Sequence, residues 1–276
     1  MTIKQFIPSS IKTALKQAVP VTLVDRFEII TGQRDSLTPP KRLHFVGGGD
    51  FKSHGDAFFG RFREIGDLQP TDRVLDVGSG VGRLAVPLAQ YLTTSNCYEG
   101  IEIVKDGVDW CQQFITKKYP EFRFGHLNIY NKTYNPAGQV LASEVVFPFP
   151  ADSFTFCFLT SVFTHMLEKD VVHYLKELYR VLKPGGRVYF TIFLLNTDSR
   201  RLIDAGRSSI ALKPFTDLSM VESTDAPENA IAFDETFIVN TLAEIGFVIK
   251  GGIRYGYWSG RTENFYDYQD TLVVTR

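Results

Sequence analysis

Three glycines in Val74-Leu75-Asp76-Val77-Gly78-Ser79-Gly80-Val81-Gly82-Arg83 stand where an apolar run gives way to a helical pattern. Backbone without side chains can lie directly against a ligand, and the start of a helix presents unpaired N–H groups to an anion. Twenty residues beyond Gly82, Glu102 closes the next apolar run in Gly100-Ile101-Glu102. An acid at the end of a second strand can accept two hydrogen bonds from a ribose diol, so the pair predicts a nucleoside cofactor. The glycines follow GxGxG and lack the third glycine of the GxGxxG turn that seats a dinucleotide pyrophosphate. A competing signal is the YxxxK spacing of short-chain dehydrogenases in Tyr179-Arg180-Val181-Leu182-Lys183. It falls where a helix runs into Pro184, and the serine expected upstream is Met166. Helix termination accounts for it.

These residues need a frame to hold them. From residue 73, short apolar runs alternate with helical patterns, the βαβ signature of a parallel sheet. Strands are expected over 73–77, 97–103, 122–129, 154–160 and 187–195, with helices over 81–92, 105–119 and 168–182. The 154–160 run has no polar alternation, as a strand covered on both faces requires. The 168–182 helix carries Val171, Leu175, Leu178 and Leu182 on one stripe and stops at Pro184-Gly185-Gly186. Residues 196–232 turn polar without a sustained strand pattern, and a stretch of that length between sheet elements reads as a lid. A helix capped by Asp234 and stopped by Gly246 follows, then strands over 247–258 and 269–275. Upstream, a short basic helix is expected over 9–19. Pro39-Pro40 and Gly47-Gly48-Gly49 make 32–50 a connection or a flap.

With 44% hydrophobic and 22% charged residues, the chain has apolar surface for one large core with appendages. A formal net charge of -1 lacks the broad attraction to phosphate backbones that nucleic-acid binders carry, so no nucleic-acid partner is expected. Cys97, Cys111 and Cys157 have no CxxC spacing and fall inside apolar patterns, reading as buried thiols in a reducing compartment. Lys4, Lys12, Lys16 and Gln17 interrupt the first 27 residues, which excludes a signal or spanning segment there and points to a cytoplasmic protein.

From about residue 67 to the end, the chain resembles the class I S-adenosylmethionine (SAM)-dependent methyltransferases. The resemblance rests on the 74–83 turn, Glu102, Phe147-Pro148-Phe149 with Asp152-Ser153-Phe154, Ser161-Val162-Phe163-Thr164-His165, and Arg180-Val181-Leu182-Lys183-Pro184-Gly185-Gly186-Arg187. It implies a doubly wound α/β fold whose mostly parallel seven-stranded sheet has its last strand antiparallel, with SAM over the C-terminal edges of the first four strands. Residues 67–276 then form the methyltransferase domain with 196–232 as a lid insertion, and 1–66 an N-terminal cap or flap. The resemblance further implies that Asp76 and the backbone of Gly78, Gly80 and Gly82 hold the methionine end, that Glu102 holds the ribose, and that Asn128 meets the adenine edge. The flanking Ser79, Arg83, Ile103, Ile129 and Thr160 join them as candidate cofactor contacts.

The turn after the fourth strand, Thr160-Ser161-Val162-Phe163, narrows the acceptor. It has no Asn/Asp-Pro-Pro-Tyr for exocyclic base amines, no Pro-Cys nucleophile, and no acid placed to hold Mg²⁺. A metal-free transfer to a small molecule remains, and no metal ligand is assigned. Methyl transfer from a sulfonium is an in-line displacement whose main demand is alignment. A hydroxyl acceptor also needs its proton removed. His165 is the candidate base, with capping of the turn as the alternative; His54 and Asp50, beside the glycine flap, are further candidates. Tyr255, Tyr257, Trp258, Phe265, Tyr266 and Tyr268 suit either sheet packing or stacking on a sugar or flat acceptor. The leading expectation is a small-molecule or saccharide O-methyltransferase. An N- or C-methyltransferase of a natural product or lipid-like acceptor, and a non-catalytic SAM sensor, are the alternatives.

Overall fold

The computed structural model describes residues 28–32, 34–43 and 50–276, and the expected alternation of strand and helix begins after Asp50. Helix α1 (Phe51–Glu64) comes first. It is followed by β1 (Val74–Val77), α2 (Ala85–Leu88), β2 (Tyr98–Glu102), α3 (Lys105–Cys111, continued by a π turn over Gln112–Thr116), β3 (Phe122–His126), β4 (Phe154–Leu159), α4 (Glu168–Val181) and β5 (Leu182–Ile192). Then come β6 (Leu194–Leu195), α5 (Thr197–Asp204), β7 (Lys213–Thr216), β8 (Ser219–Val221), β9 (Ile231–Asp234), α6 (Glu235–Ile245), β10 (Val248–Ile249) and β11 (Asp270–Thr275). The main sheet has the order β10-β11-β5-β4-β1-β2-β3. β5, β4, β1, β2 and β3 run parallel, and β11 is antiparallel to β5. The chain winds outward in opposite directions from β1 and β4, so the crevice at their C-terminal ends is the topological switch point where such sheets take ligands.

Both faces of the sheet are covered, which is why β1 and β4 tolerate almost no polar side chain. On one face Leu75, Val77, Cys157, Leu159, Val188, Phe190, Leu272 and Val274 pack with Val171, Leu175 and Leu178 of α4 and with Ile238 and Leu242 of α6. On the other, Phe62 of α1 meets Phe158 at 4.5 Å, Tyr189 at 4.9 Å and Phe156 at 5.7 Å. α1 runs against the strand direction. Its first residue, Phe51, lies under Arg83 beyond the end of β1, and just past its last turn the Gly66 carbonyl accepts from Arg187 near the start of the parallel stretch of β5. The three cysteines are buried and outside any disulfide.

The chain divides into two compact units, Met1–Gly47 and Gly48–Arg276. α1, which the sequence reading groups with the N-terminal segment, belongs to the second. The helix expected over 9–19 and the triple glycine at 47–49 lie outside the described residues. Among the described residues, no helix is long and apolar enough to cross a membrane.

Four elements differ from expectation, each for a local reason. The 81–92 helix shrinks to Ala85–Leu88, because Gly82 sits at φ 73° and Pro87 has no N–H to continue the ladder. The 247–258 strand stops at Ile249, where Gly251 and Gly252 both take positive φ. The 187–195 run is cut at Phe193, and Leu194–Leu195 leaves the main sheet. Most consequentially, 196–232 is not strandless. It holds α5, β7 and β8, and a second sheet of order β6-β9-β8-β7. β7 and β8 are four and three residues long, too short for alternation to be seen.

Candidate active site at the strand ends

β1 delivers Asp76 and then the glycine turn to the switch point. Asp76 is buried, and that burial pushes its carboxyl up to about 8; a hydrogen bond donated by the Tyr98 hydroxyl to Oδ2 opposes the shift and the charge of Glu102 adds to it. Tyr98 is held by a 4.6 Å stack on Phe122. Among the described residues, Oδ1 of Asp76 and Oγ of Ser79 are buried without a hydrogen-bond partner, a state that is costly unless a ligand meets them.

The three glycines are required for different reasons. At Gly78 a Cβ would lie 2.5 Å from Val162 Cγ2, and at Gly82 it would lie 2.2 Å from Ile115 Cδ1. Those two are therefore fixed by the protein's own packing, which sequence reasoning had ascribed to the ligand. At Gly80 nothing among the described residues lies within 4 Å of that position, and φ is 56°. Gly80 alone of the three faces space that no described residue fills.

Glu102 ends β2, buried, and ties the turn to its own loop. Oε2 accepts from the Gly80 N–H at 2.7 Å, and Oε1 from Ile103 at 2.7 Å and Val104 at 2.9 Å. Burial raises its pKa while these three amides oppose the rise. A carboxylate has about four acceptor positions, so one remains beyond these three amides. Asn128 follows β3 with an exposed side chain, and its carbonyl accepts from Gln139 and Val140. The Ile129 side chain is in the main core, its N–H donates to the Leu127 carbonyl and its carbonyl accepts from Asn135 Nδ2 at 2.8 Å. Ile103 and Thr160 are half-buried at the ends of β2 and β4. Arg83 turns toward α1, 5.8 Å over the Phe51 ring. The orphaned oxygens, the open face of Gly80 and the remaining acceptor position of Glu102 fit a nucleoside with a charged amino-acid tail, which is SAM.

The three base candidates have distinct surroundings. His165 closes a short 3-10 turn after β4, and its Nδ1 is 2.9 Å from the Glu228 carbonyl in the second-sheet insertion. A carbonyl only accepts, so Nδ1 carries the proton and Nε2 is the basic nitrogen. Burial lowers the His165 pKa against the pull of the Glu228 and Asn229 carbonyls, keeping the ring neutral near pH 7. Tyr134, half-buried and raised in pKa by burial and by Glu102, meets the His165 ring edge-on at 5.5 Å. His54 stands in the first turns of α1, its pKa lowered by burial and by Arg83. Asp50 is the N-cap of α1: Oδ1 accepts from the Ser53 N–H at 2.8 Å and from its hydroxyl at 2.7 Å, which lowers its pKa. A carboxylate so occupied is a cap, and its proton affinity moves away from that of a base.

The sequence patterns single out Ser161 only as part of the turn after β4, and do not mark Tyr98, Tyr134, Thr191 or Gln269 as site residues. The Ser161 N–H donates to Thr191 Oγ1 at 2.8 Å, and both hydroxyls donate to Gln269 Oε1. Polar residues inside otherwise apolar strand ends were the available signal for Thr191 and Gln269. Tyr98 and Tyr134 carry none that separates them from packing residues.

A family model described as a methyltransferase domain matches residues 75–190. A ubiquinone/menaquinone biosynthesis C-methyltransferase of Geotalea daltonii is 32% identical over 124 residues, 45% of this chain and 46% of that protein. An uncharacterized methyltransferase of Schizosaccharomyces pombe is 30% identical over 121 residues, 44% of this chain and 40% of that protein. The chain thus covers less than half the length of these two relatives. Among solved structures, the PH0226 protein of Pyrococcus horikoshii OT3 has a TM-score of 0.54 at 17% identity, covering 86% of this chain and 99% of that one. Magnesium protoporphyrin IX methyltransferase of Synechocystis PCC 6803, with bound S-adenosylhomocysteine, has 0.51 at 20%, covering 93% and 100%. At such identities the structures show a shared fold. The match over 75–190 runs from the glycine turn through Glu102 into β5, and over that segment the chain is similar to SAM-dependent methyltransferases, on a sheet order that the solved methyltransferase structures share.

Proposed function

We propose that the protein moves a methyl group from SAM to a hydroxyl of a small-molecule or saccharide acceptor, without a metal, by in-line displacement. The observation that carries this reading is His165: a neutral, mostly buried imidazole on the segment directly after β4, its Nδ1 committed to Glu228 and its Nε2 left basic. That segment abuts the cofactor turn, since Val162 packs where a Cβ on Gly78 would stand. Asp76 and Ser79 hold the amino-acid end of the cofactor and Glu102 the ribose. When bound, SAM supplies a methyl group on a positively charged sulfur, already activated for displacement. The protein's share is to align the acceptor and exclude water, and Nε2 of His165 takes the hydroxyl proton. We place the second-sheet insertion, 196–232, as a wall of the acceptor side, because it carries the carbonyl that orients His165.

A carbon acceptor is the second reading, favoured by the C-methyltransferase named among the relatives. A phenol or enol carbon needs the same proton removed. Incubation with methyl-labelled SAM and fractionated small-molecule pools tests the proposal. Label in an O-methyl group supports it, label in a C-methyl group supports the second reading, and SAM binding with no labelled product leaves a sensor.

A further inference from the structure

Thr191 sits at the end of β5, essentially buried, and Gln269 immediately precedes β11, which pairs with β5 so that Thr191 lies opposite Thr271. Ser161 follows β4 at φ 56°, a conformation that a serine rarely holds without constraint. The three side chains meet at one point. Thr191 Oγ1 accepts the Ser161 N–H, so its own single proton must go to an acceptor, and that acceptor is Gln269 Oε1. The Ser161 hydroxyl donates to the same oxygen at 3.2 Å. With the amide reversed, the buried Thr191 proton would have no acceptor, so the network selects one orientation of the carboxamide. Oε1 is then fully engaged inward. Among the described residues, neither N–H of Gln269 Nε2 meets an acceptor.

The position of this group gives it meaning. Ser161 is joined directly to Val162, whose methyl blocks any side chain at Gly78 in the cofactor turn. The carboxamide thus stands at the C-terminal edge of β4 and β5, one residue removed from the segment that touches the cofactor site, on a half-buried side chain. The mechanism above uses none of the three residues.

We infer that Gln269 is the acceptor-reading residue of this site: its Nε2 donates hydrogen bonds to an oxygen of the acceptor, a hydroxyl or carbonyl flanking the methylated atom, with Thr191 and Ser161 as positioning residues that aim it. The inference rests on the methyltransferase reading and narrows its acceptor to oxygen-bearing molecules with at least two such oxygens. A pair of N–H donors held in one direction selects for an oxygen and against a methylene or an ammonium at that place.

The test uses the full chain with Gln269→Leu, Gln269→Glu and Thr191→Val. S-adenosylhomocysteine binding is measured by calorimetry. Methyl transfer is measured with methyl-tritiated SAM and a defined panel of monosaccharides, vicinal diphenols, hydroxyquinones and hydroxy acids, each beside its mono-deoxy counterpart. The inference expects S-adenosylhomocysteine affinity within about twofold of wild type in all three variants. It expects KM for the labelled compound to rise about tenfold in Gln269→Leu and Thr191→Val, the loss of one or two neutral hydrogen bonds, and further in Gln269→Glu. It also expects wild type, but not Gln269→Leu, to discriminate against the deoxy counterpart. Equal KM in Gln269→Leu, or a parallel loss of S-adenosylhomocysteine affinity, overturns it while the methyltransferase reading stands. Wild type that binds S-adenosylhomocysteine but labels nothing on the panel overturns it as well. Wild type that fails to bind S-adenosylhomocysteine overturns the underlying reading instead.

Discussion

At the scale of single residues, Asp76 makes the sharpest statement. An acid held at about 8 is mostly protonated at pH 7, whereas pairing with the ammonium of an amino-acid tail requires the carboxylate. Binding therefore releases a proton, and affinity rises with pH by up to about tenfold per unit between pH 6 and 8. Calorimetry of S-adenosylhomocysteine across that range should show the rise in wild type and a much flatter profile in Asp76→Asn. Equal slopes would assign the proton to another group. His165 carries the second residue-scale prediction. His165→Ala should lower kcat by roughly 10²–10⁴-fold and leave S-adenosylhomocysteine affinity nearly unchanged, because a base acts in the transition state. If His165→Gln keeps most of the activity, the ring only orients the turn. Glycine spacing and a downstream acid are local patterns, which is why the sequence alone marks Asp76 and Glu102 as cofactor candidates. The separate duties of Gly78, Gly80 and Gly82 were not legible there, since Val162 and Ile115 reach the turn from distant parts of the chain. Nor was the N-cap position of Asp50, which depends on where α1 begins.

At the scale of elements, α1 and the second sheet make opposite points. Phe62 is fully buried between Phe156, Phe158 and Tyr189, so α1 is part of the core although it precedes the matched domain. Phe62→Ala should cost about 3–5 kcal/mol in urea unfolding, the usual range for emptying a buried aromatic site. A loss under about 1 kcal/mol would make α1 a peripheral cap. Polar contacts join the insertion to the loops around the strand ends, with His165 on the Glu228 carbonyl, Lys132 on the Asp225 carbonyl, Thr133 on Asn229 at 3.2 Å, and Thr216 and Ser219 on Glu168 at 2.5 Å, while Val221 and Ile231 anchor it in the main core. Hydrogen exchange over 213–229 should therefore slow when S-adenosylhomocysteine and acceptor are both present. Unchanged exchange would make the insertion a static wall. The long strands and α4 were readable because their burial imposes periodicity over many residues. β7 and β8 were not, because a three- or four-residue strand in a polar stretch has too few positions to show a period. The shortened α2 reflects a tertiary demand, Gly82 at positive φ under Ile115, that overrides an apolar helical pattern.

At the scale of the whole molecule, the sheet order places the outward winding of β1 and β4 side by side, and everything chemical converges on that crevice. The doubly wound sheet with an antiparallel β11 was foreseeable from alternation and from the family resemblance; the partnership of β5, β11 and β4 that assembles Ser161, Thr191 and Gln269 was not, because it joins residues from three remote segments. The central claim is that this crevice is a SAM site closed by Glu102. The most direct measurement is calorimetric titration of the full chain with S-adenosylhomocysteine and, separately, with NAD, in wild type and Glu102→Gln. The account predicts saturable S-adenosylhomocysteine binding by wild type and none of NAD. In Glu102→Gln it predicts binding weaker by roughly ten- to 150-fold, the loss of charged hydrogen bonds worth about 1.5–3 kcal/mol. Binding of NAD in place of S-adenosylhomocysteine, or a Glu102→Gln affinity within about threefold of wild type, would contradict it.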